Sequence, residues 1–218
     1  MAYTTSKKRL LKKSSLYLIL DKNSCRYANP GRISKIIENK SVDIIQLRDK
    51  FSPKIEVFKQ ALLLRRLTKK HSVLFIVNDF ADIAKIAGAD GVHLGSRDTS
   101  IGQARRLLGR GKIIGVTCRS QRQVSAAKAQ GADYVSFGPV FQTSTKAGIA
   151  ALGLQLLKKI KSRKLDIPLF AIGGINQSNL NAVLASGVSR IAVCAAICRS
   201  ASPLAAARKL KSQLLSTV

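Results

Sequence analysis

Short apolar runs recur along the chain and alternate with longer segments in which apolar residues fall three and four apart. The runs begin near Leu16 (LYLIL), Asp43 (DIIQL), Val73 (VLFIV), Gly91 (GVHL), Lys112 (KIIGV), Asp133 (DYVSF), Pro168 (PLFAI) and Arg190 (RIAVC). They are largely continuous rather than alternating, as parallel strands covered on both faces should be. Stretches such as PKIEVFKQALLLRRLTKK and SIGQARRLLG have the spacing of amphipathic helices. Ser120 and Ser178 stand where further helices open, as caps or first-turn residues. Eight such units of about 25 residues each predict an α/β fold of one domain, a TIM (βα)8 barrel. A doubly wound open sheet competes with it, but that fold places a glycine-rich turn after its first strand, and DKNSCR occupies that place here. No linker divides the chain. The expected organisation is a basic N-terminal arm over 1–14 and a barrel domain over 15–218.

A barrel of this kind concentrates its chemistry in the loops after its strands. Polar residues gather there: Gln46, Arg48 and Lys50 after the second strand, Asn78 and Asp79 after the third, His93 and Asp98 at the fourth, Thr117 at the fifth. After the sixth comes GPVFQTSTK (138–146), with Thr143, Ser144, Thr145 and Lys146 and no acid among them. Hydroxyls donate to phosphate oxygens and a lysine adds a point charge, so an anion suits this loop. The other reading is plain solvated polarity; the accumulation at neighbouring strand ends favours the anion. In AIGGI (171–175) the glycines allow close approach of backbone to a phosphate, with small Ala195 and Ala196 opposite. A tight turn explains the same glycines.

Asp79 and Asp98 pose a separate question. Carboxylates repel an anion unless a cation lies between them, and Mg²⁺ held by one or two carboxylates and substrate oxygens resolves the conflict. Each also stands where a helix cap belongs. His93 is either a satisfied core group or a hydrogen-bond partner for a heterocycle. Two anion sites, one of them cationic and metal-assisted, point to group transfer with diphosphate leaving, its departure stabilised by positive charge. The loop 141–149 is then expected to close over both anions as a lid.

Charge adds a further class of partner. Lys plus Arg total 38 against 11 Asp plus Glu, a net charge of +27. Such a surface attracts polyanions without a dedicated site. The arm carries Lys7, Lys8, Arg9, Lys12 and Lys13 and no acid; it reads as a solvated tail ahead of a nucleic-acid contact. No apolar run reaches the roughly 20 residues of a membrane span. SSLYLIL follows the basic start but is halted by Asp21 and Lys22 with no cleavage site, so it reads as a strand and not a signal peptide. A cytoplasmic location is expected. Cys25, Cys118, Cys194 and Cys198 form no CxxC and no zinc set, and read as ordinary thiols.

From YLILD (17–21) to about Ile197, the ordered motifs IQLRDK (45–50), VND (77–79), DGVHLG with Asp98, IGVT (114–117), GADYVSFGPVFQTSTK (131–146) and AIGGI (171–175) resemble the thiamine-phosphate synthase family. The resemblance implies a TIM barrel that joins hydroxymethylpyrimidine diphosphate to thiazole phosphate, giving thiamine phosphate and diphosphate, with Mg²⁺. It implies that Gln46, Arg48, Lys50, Asn78 and Lys146 contact the pyrimidine diphosphate and that Asp79 and Asp98 hold the metal. Tyr17, His93 and Thr117 would surround the pyrimidine and its reacting carbon. Thr143, Thr145 and Gly174 would hold the thiazole phosphate with the Cys194–Ala195 backbone. Arg48, Lys50, Thr117 and Lys146 are the residues nearest the chemistry in this reading. The chain departs from the family at Ser96 (commonly Gln), Thr117 and Ala195 (commonly Ser) and Gln142 (commonly Pro). Two alternatives differ in class. A thiazole tautomerase-type relative would carry histidine where Arg119 stands, and a basic nucleic-acid-binding protein on a barrel scaffold would rest on the charge alone.

Overall fold

The strands are Leu16–Asp21 (β1), Ile44–Arg48 (β2), Leu74–Asn78 (β3), Gly91–Leu94 (β4), Ile113–Cys118 (β5), Tyr134–Phe137 (β6), Leu169–Ile172 (β7) and Ile191–Val193 (β8). In this computed structural model they close into one parallel barrel in chain order, β8 pairing back onto β1. That closure excludes the open sheet. Each strand begins within one residue of its expected start. The structure describes residues 2–23, 30–96, 98–143, 145, 148–163 and 165–216.

The helices are Ala2–Lys13 (α1), Pro30–Glu38 (α2), Lys54–His71 (α3), Ala81–Ile86 (α4), Ile101–Leu108 (α5), Gln121–Ala129 (α6), Gly153–Lys161 (α7), Leu180–Ala185 (α8), Ala195–Cys198 (α9) and Pro203–Leu215 (α10). Local chemistry sets several of their starts. Ser100 caps α5 in a reciprocal capping box with Gln103. Ser120 caps α6 by accepting the Gln123 N–H. Ser178 caps nothing: it lies in a turn before α8, bonded to the Asn176 side chain. Among the described residues no helix is long and apolar enough to cross a membrane.

Outward-facing strand residues pack under the helices as the main core. The inward-facing set forms a second cluster that includes Tyr17, Ile44, Leu74, Ile113, Tyr134 and Phe170. Leu11 of α1 belongs to this inner cluster and is 2% exposed. Asp43, Asp90 and Asp133 each stand one residue before β2, β4 and β6. They accept the N–H groups of Leu16, Phe75 and Ile114 on the preceding strands. Lys7 pairs with Asp90 and Lys8 with Asp133, both at 2.7 Å. The solvated-tail expectation is therefore corrected. The basic arm is a helix laid across the strand N-termini, with two of its charges neutralised and one leucine plugging the barrel. Cys118 and Cys194 are in no disulfide. Cys198 is disulfide-bonded, which corrects its reading as a thiol, and Cys25 lies outside the described residues.

Candidate active site

A cavity of about 290 Å³ opens among the strand C-termini. Gln46 and Arg48 from β2, Asn78 from β3, His93 from β4 and Thr117 from β5 form one side of its wall. Thr143 and Thr145 after β6, Gly174 after β7, and Cys194 and Ala195 after β8 form the other. Lys146 and Ser144, expected to complete the 141–149 lid, lie outside the described residues.

The glycine pair after β7 has a steric cause. Gly173 and Gly174 adopt φ of 98° and 65°, and a Cβ at either would collide with Pro139 or with the Gln142 carbonyl. Both readings of AIGGI hold: the turn needs glycine, and the same backbone lines the cavity.

At one edge, Lys50, Asp79 and Asp98 meet. Lys50 Nζ stands 2.6 Å from Asp79 Oδ2, and the two carboxyls are joined by a hydrogen bond. The Gly95 N–H donates to Asp98 Oδ2 at 2.6 Å. Asp79 sits in left-handed backbone, φ 63°, held there by its N–H to the His93 carbonyl at 2.8 Å. Such a conformation is uncommon outside glycine and clusters at functional positions. Burial and the hydrogen bond it donates to Asp98 push the Asp79 carboxyl up to about 6. Asp98 is also resisted by burial, but the bonds from Asp79 and Gly95 outweigh it and hold its carboxyl below the usual range. The helix-cap readings are excluded: α4 is preceded by Phe80 with no side-chain cap, and α5 is capped by Ser100. Among the described residues no set of three or more metal-ligating side chains gathers, so this is a site of two carboxylates.

Tyr17 and His93 are both tied into the protein beside the cavity. Tyr17 is fully buried and its hydroxyl bonds Tyr134 and Gln46, so it supports the Gln46 side of the wall. His93 has both ring nitrogens engaged by protein, Nδ1 with the Tyr134 hydroxyl at 2.9 Å and Nε2 with the Thr117 hydroxyl at 2.7 Å. Both ring nitrogens are thus satisfied within the protein, and the ring also forms part of the cavity wall.

Sequence reasoning missed Asp21 and Tyr134. Asp21 ends β1, pairs across the ladder with Arg48 and forms a buried ion pair with its guanidinium. The rule that selected the other strand ends applied to it equally. Tyr134 starts β6, and no local signal marks it.

The cavity thus combines a cationic strand end, two joined carboxylates beside it and a row of hydroxyls. The thiamine monophosphate synthase family model matches residues 16–197. The chain belongs to that family. A thiamine-phosphate synthase of Chlorobium phaeobacteroides is 45% identical over 173 residues, covering 79% of this chain and 84% of its own. One of Methanoculleus marisnigri is 38% identical over 200 residues, covering 91% and 94%. The solved thiamine phosphate pyrophosphorylase from Pyrococcus furiosus superposes with a TM-score of 0.83 at 33% identity, covering 97% of this chain and 98% of that one. These thiamine-phosphate synthase relatives give no support to the tautomerase alternative.

Proposed function

We propose that this chain joins hydroxymethylpyrimidine diphosphate to thiazole phosphate, releasing diphosphate and thiamine phosphate. It is a transferase acting on two small phosphorylated molecules. The observation that carries the reading is the carboxyl pair Asp79–Asp98 set against Lys50 beside the Arg48 end of the cavity. Two carboxyls in contact must share a proton or a cation. The pair therefore fits a hard divalent ion that takes its remaining oxygens from substrate and water. Mg²⁺ bound by Asp79 and Asp98 would neutralise charge on the diphosphate as it leaves.

The chain's own residues have the following parts in this reading. Arg48, fixed by Asp21, presents a planar fork to the diphosphate. Lys50 adds a point charge, and Lys146 is assigned the same task by its place in the motif. Gln46 and Asn78 hold the pyrimidine half. Thr143, Thr145, Gly174 and the Cys194–Ala195 backbone bind the thiazole phosphate. The Thr117 hydroxyl lies where the two substrates would meet, and its extra methyl relative to serine is expected to slow turnover. Replacing the family's serine by Ala195 leaves the backbone N–H, so phosphate binding weakens without being lost. Closure of the 141–149 loop would exclude water from a cationic pyrimidine-methyl species.

The +27 charge adds nonspecific polyanion binding, expected to vanish between about 50 and 300 mM salt in a titration against generic duplex DNA. The deciding experiment mixes the two phosphorylated substrates with Mg²⁺ and assays thiamine phosphate. Absence of product with both substrates shown to bind would overturn the reading.

A further inference from the structure

Five side chains on five strands form one continuous hydrogen-bonded chain under and along the cavity. Gln46 Nε2 lies 2.6 Å from the Tyr17 hydroxyl, which lies 2.9 Å from the Tyr134 hydroxyl. Tyr134 then meets His93 Nδ1 at 2.9 Å, and His93 Nε2 meets Thr117 Oγ1 at 2.7 Å. An amide nitrogen only donates, and a phenol has one hydrogen. With Gln46 donating, every hydrogen in the chain is used only when Tyr17 accepts and passes its own hydrogen to Tyr134. Tyr134 must then donate to His93 Nδ1, which has to be bare. The ring hydrogen sits on Nε2 and goes to Thr117. Thr117 accepts from His93 and keeps its own hydrogen for the cavity.

The surroundings hold this chain in place. Tyr134 is fully buried, stacks on His93 with ring centroids 5.6 Å apart, and meets Phe170 edge-on. Its ring occupies the space above Gly115, where any Cβ would overlap it. Burial drives both phenols well above their usual range, so both hydrogens stay on oxygen.

We propose that Tyr17 and Tyr134 are positioning residues: they transmit the orientation of the Gln46 amide to His93, keep Nδ1 an acceptor with the ring hydrogen on Nε2, and so make Thr117 a hydrogen-bond donor toward the bound substrate. The last clause rests on the function proposed above; the tautomer does not. One amide thereby sets the polarity of four bonds, and Thr117 is prepared to meet an acceptor atom before the substrate arrives. An imidazolium would need Nδ1 to donate to Tyr134. Tyr134 would then donate to Tyr17, whose oxygen would accept from both sides while its own hydrogen lost its place in the chain.

The test is nitrogen NMR of the ligand-free, ¹⁵N-labelled full chain. It has two histidines, and His71→Gln assigns the His93 signals. The expected result at neutral pH is one protonated nitrogen, Nε2, and a hydrogen-bonded bare Nδ1. A hydrogen on Nδ1, or on both nitrogens, overturns the proposal. Tyr134→Phe is expected to shift the bare-nitrogen resonance and mix the tautomers. Gln46→Glu, at a pH where the carboxyl carbon shift shows ionisation, replaces the terminal donor by an acceptor and should move the hydrogen to Nδ1, two tyrosines away. An ionised carboxylate with His93 unchanged overturns the chain's directionality. In turnover, Tyr134→Phe should lower kcat about tenfold while KM for the diphosphate substrate moves less than about twofold, a loss confined to the transition state. An unchanged kcat with the tautomer as expected would remove the role of Thr117 and leave the chain itself standing.

Discussion

Asp79 and Asp98 share a hydrogen bond between carboxyls while Lys50 pairs with Asp79. The raised Asp79 carboxyl is a stability statement with a definite sign. Its pKa is higher folded, about 6, than its ordinary value of 3.8, so the folded state prefers it protonated. Above pH 6 that preference is unmet and costs stability; as pH falls through 6 toward 3.8 the folded chain takes up a proton the unfolded chain does not, and the cost disappears. The metal-free Asp79→Asn chain is therefore expected to be more stable than wild type at pH 7, with the difference shrinking below pH 6. Urea unfolding at pH 7.5 and pH 5 checks this. In wild type, Mg²⁺ competes for the same oxygens, so its affinity should fall as pH drops through about 6. Calorimetry showing pH-independent Mg²⁺ binding from 5 to 8 would rule out the pair as its ligands.

At the scale of elements, β1 and β2 cooperate in a way neither shows alone. Their register sets Asp21 opposite Arg48, and the ion pair is largely withdrawn from water. Asp21→Ala should weaken binding of the pyrimidine diphosphate about tenfold, because the guanidinium loses the partner that aims it; an unchanged affinity would show that Arg48 is placed by its strand alone. The α1 helix makes a second case. Leu11→Ala should lower unfolding free energy by about 2 kcal/mol, a core-truncation cost, whereas a surface helix would lose almost nothing. What could be read in advance follows from these relations. The eight strands were legible because doubly covered parallel strands are apolar along their length, and the wall from Gln46 to Thr145 because the fold sends strand ends to one mouth. Asp21 with Arg48, and Tyr134 seated on Gly115, depend on register between strands, which no local pattern encodes. The arm was misread for the same reason: Lys7 and Lys8 find their acids at Asp90 and Asp133, far along the chain.

For the molecule as a whole, the distribution of acids gives meaning to the charge. Six aspartates, Asp21, Asp43, Asp49, Asp79, Asp90 and Asp133, lie at or next to strand ends of the barrel, and Asp98 lies in the loop after β4. Only Glu38, Glu56, Asp82 and Asp166 remain for the rest of the chain, and helices α5 to α10 contain no acid at all. Apart from cations paired with acids elsewhere, such as Arg105, Lys128 and Lys211, the outer ring on that side is cation beside cation, and the compact state works against its own repulsion. Salt acts on three populations differently. Exposed pairs such as Lys54–Asp82 and Lys59–Glu56 are weakened, but each contributes under about 1 kcal/mol. The Asp90 pairs with Lys7 and Arg65 are mostly buried and screened little. The unpaired repulsions on the helix ring are exposed, numerous and fully screened. Relief therefore wins. Raising NaCl from about 20 to 300 mM, without substrate or Mg²⁺, should raise Tm by several degrees, roughly 5 °C. Calorimetry at matched pH reads it directly. A Tm that falls with salt would mean that the ion pairs, not the excess of 27 positive charges, dominate the electrostatic part of this fold's stability.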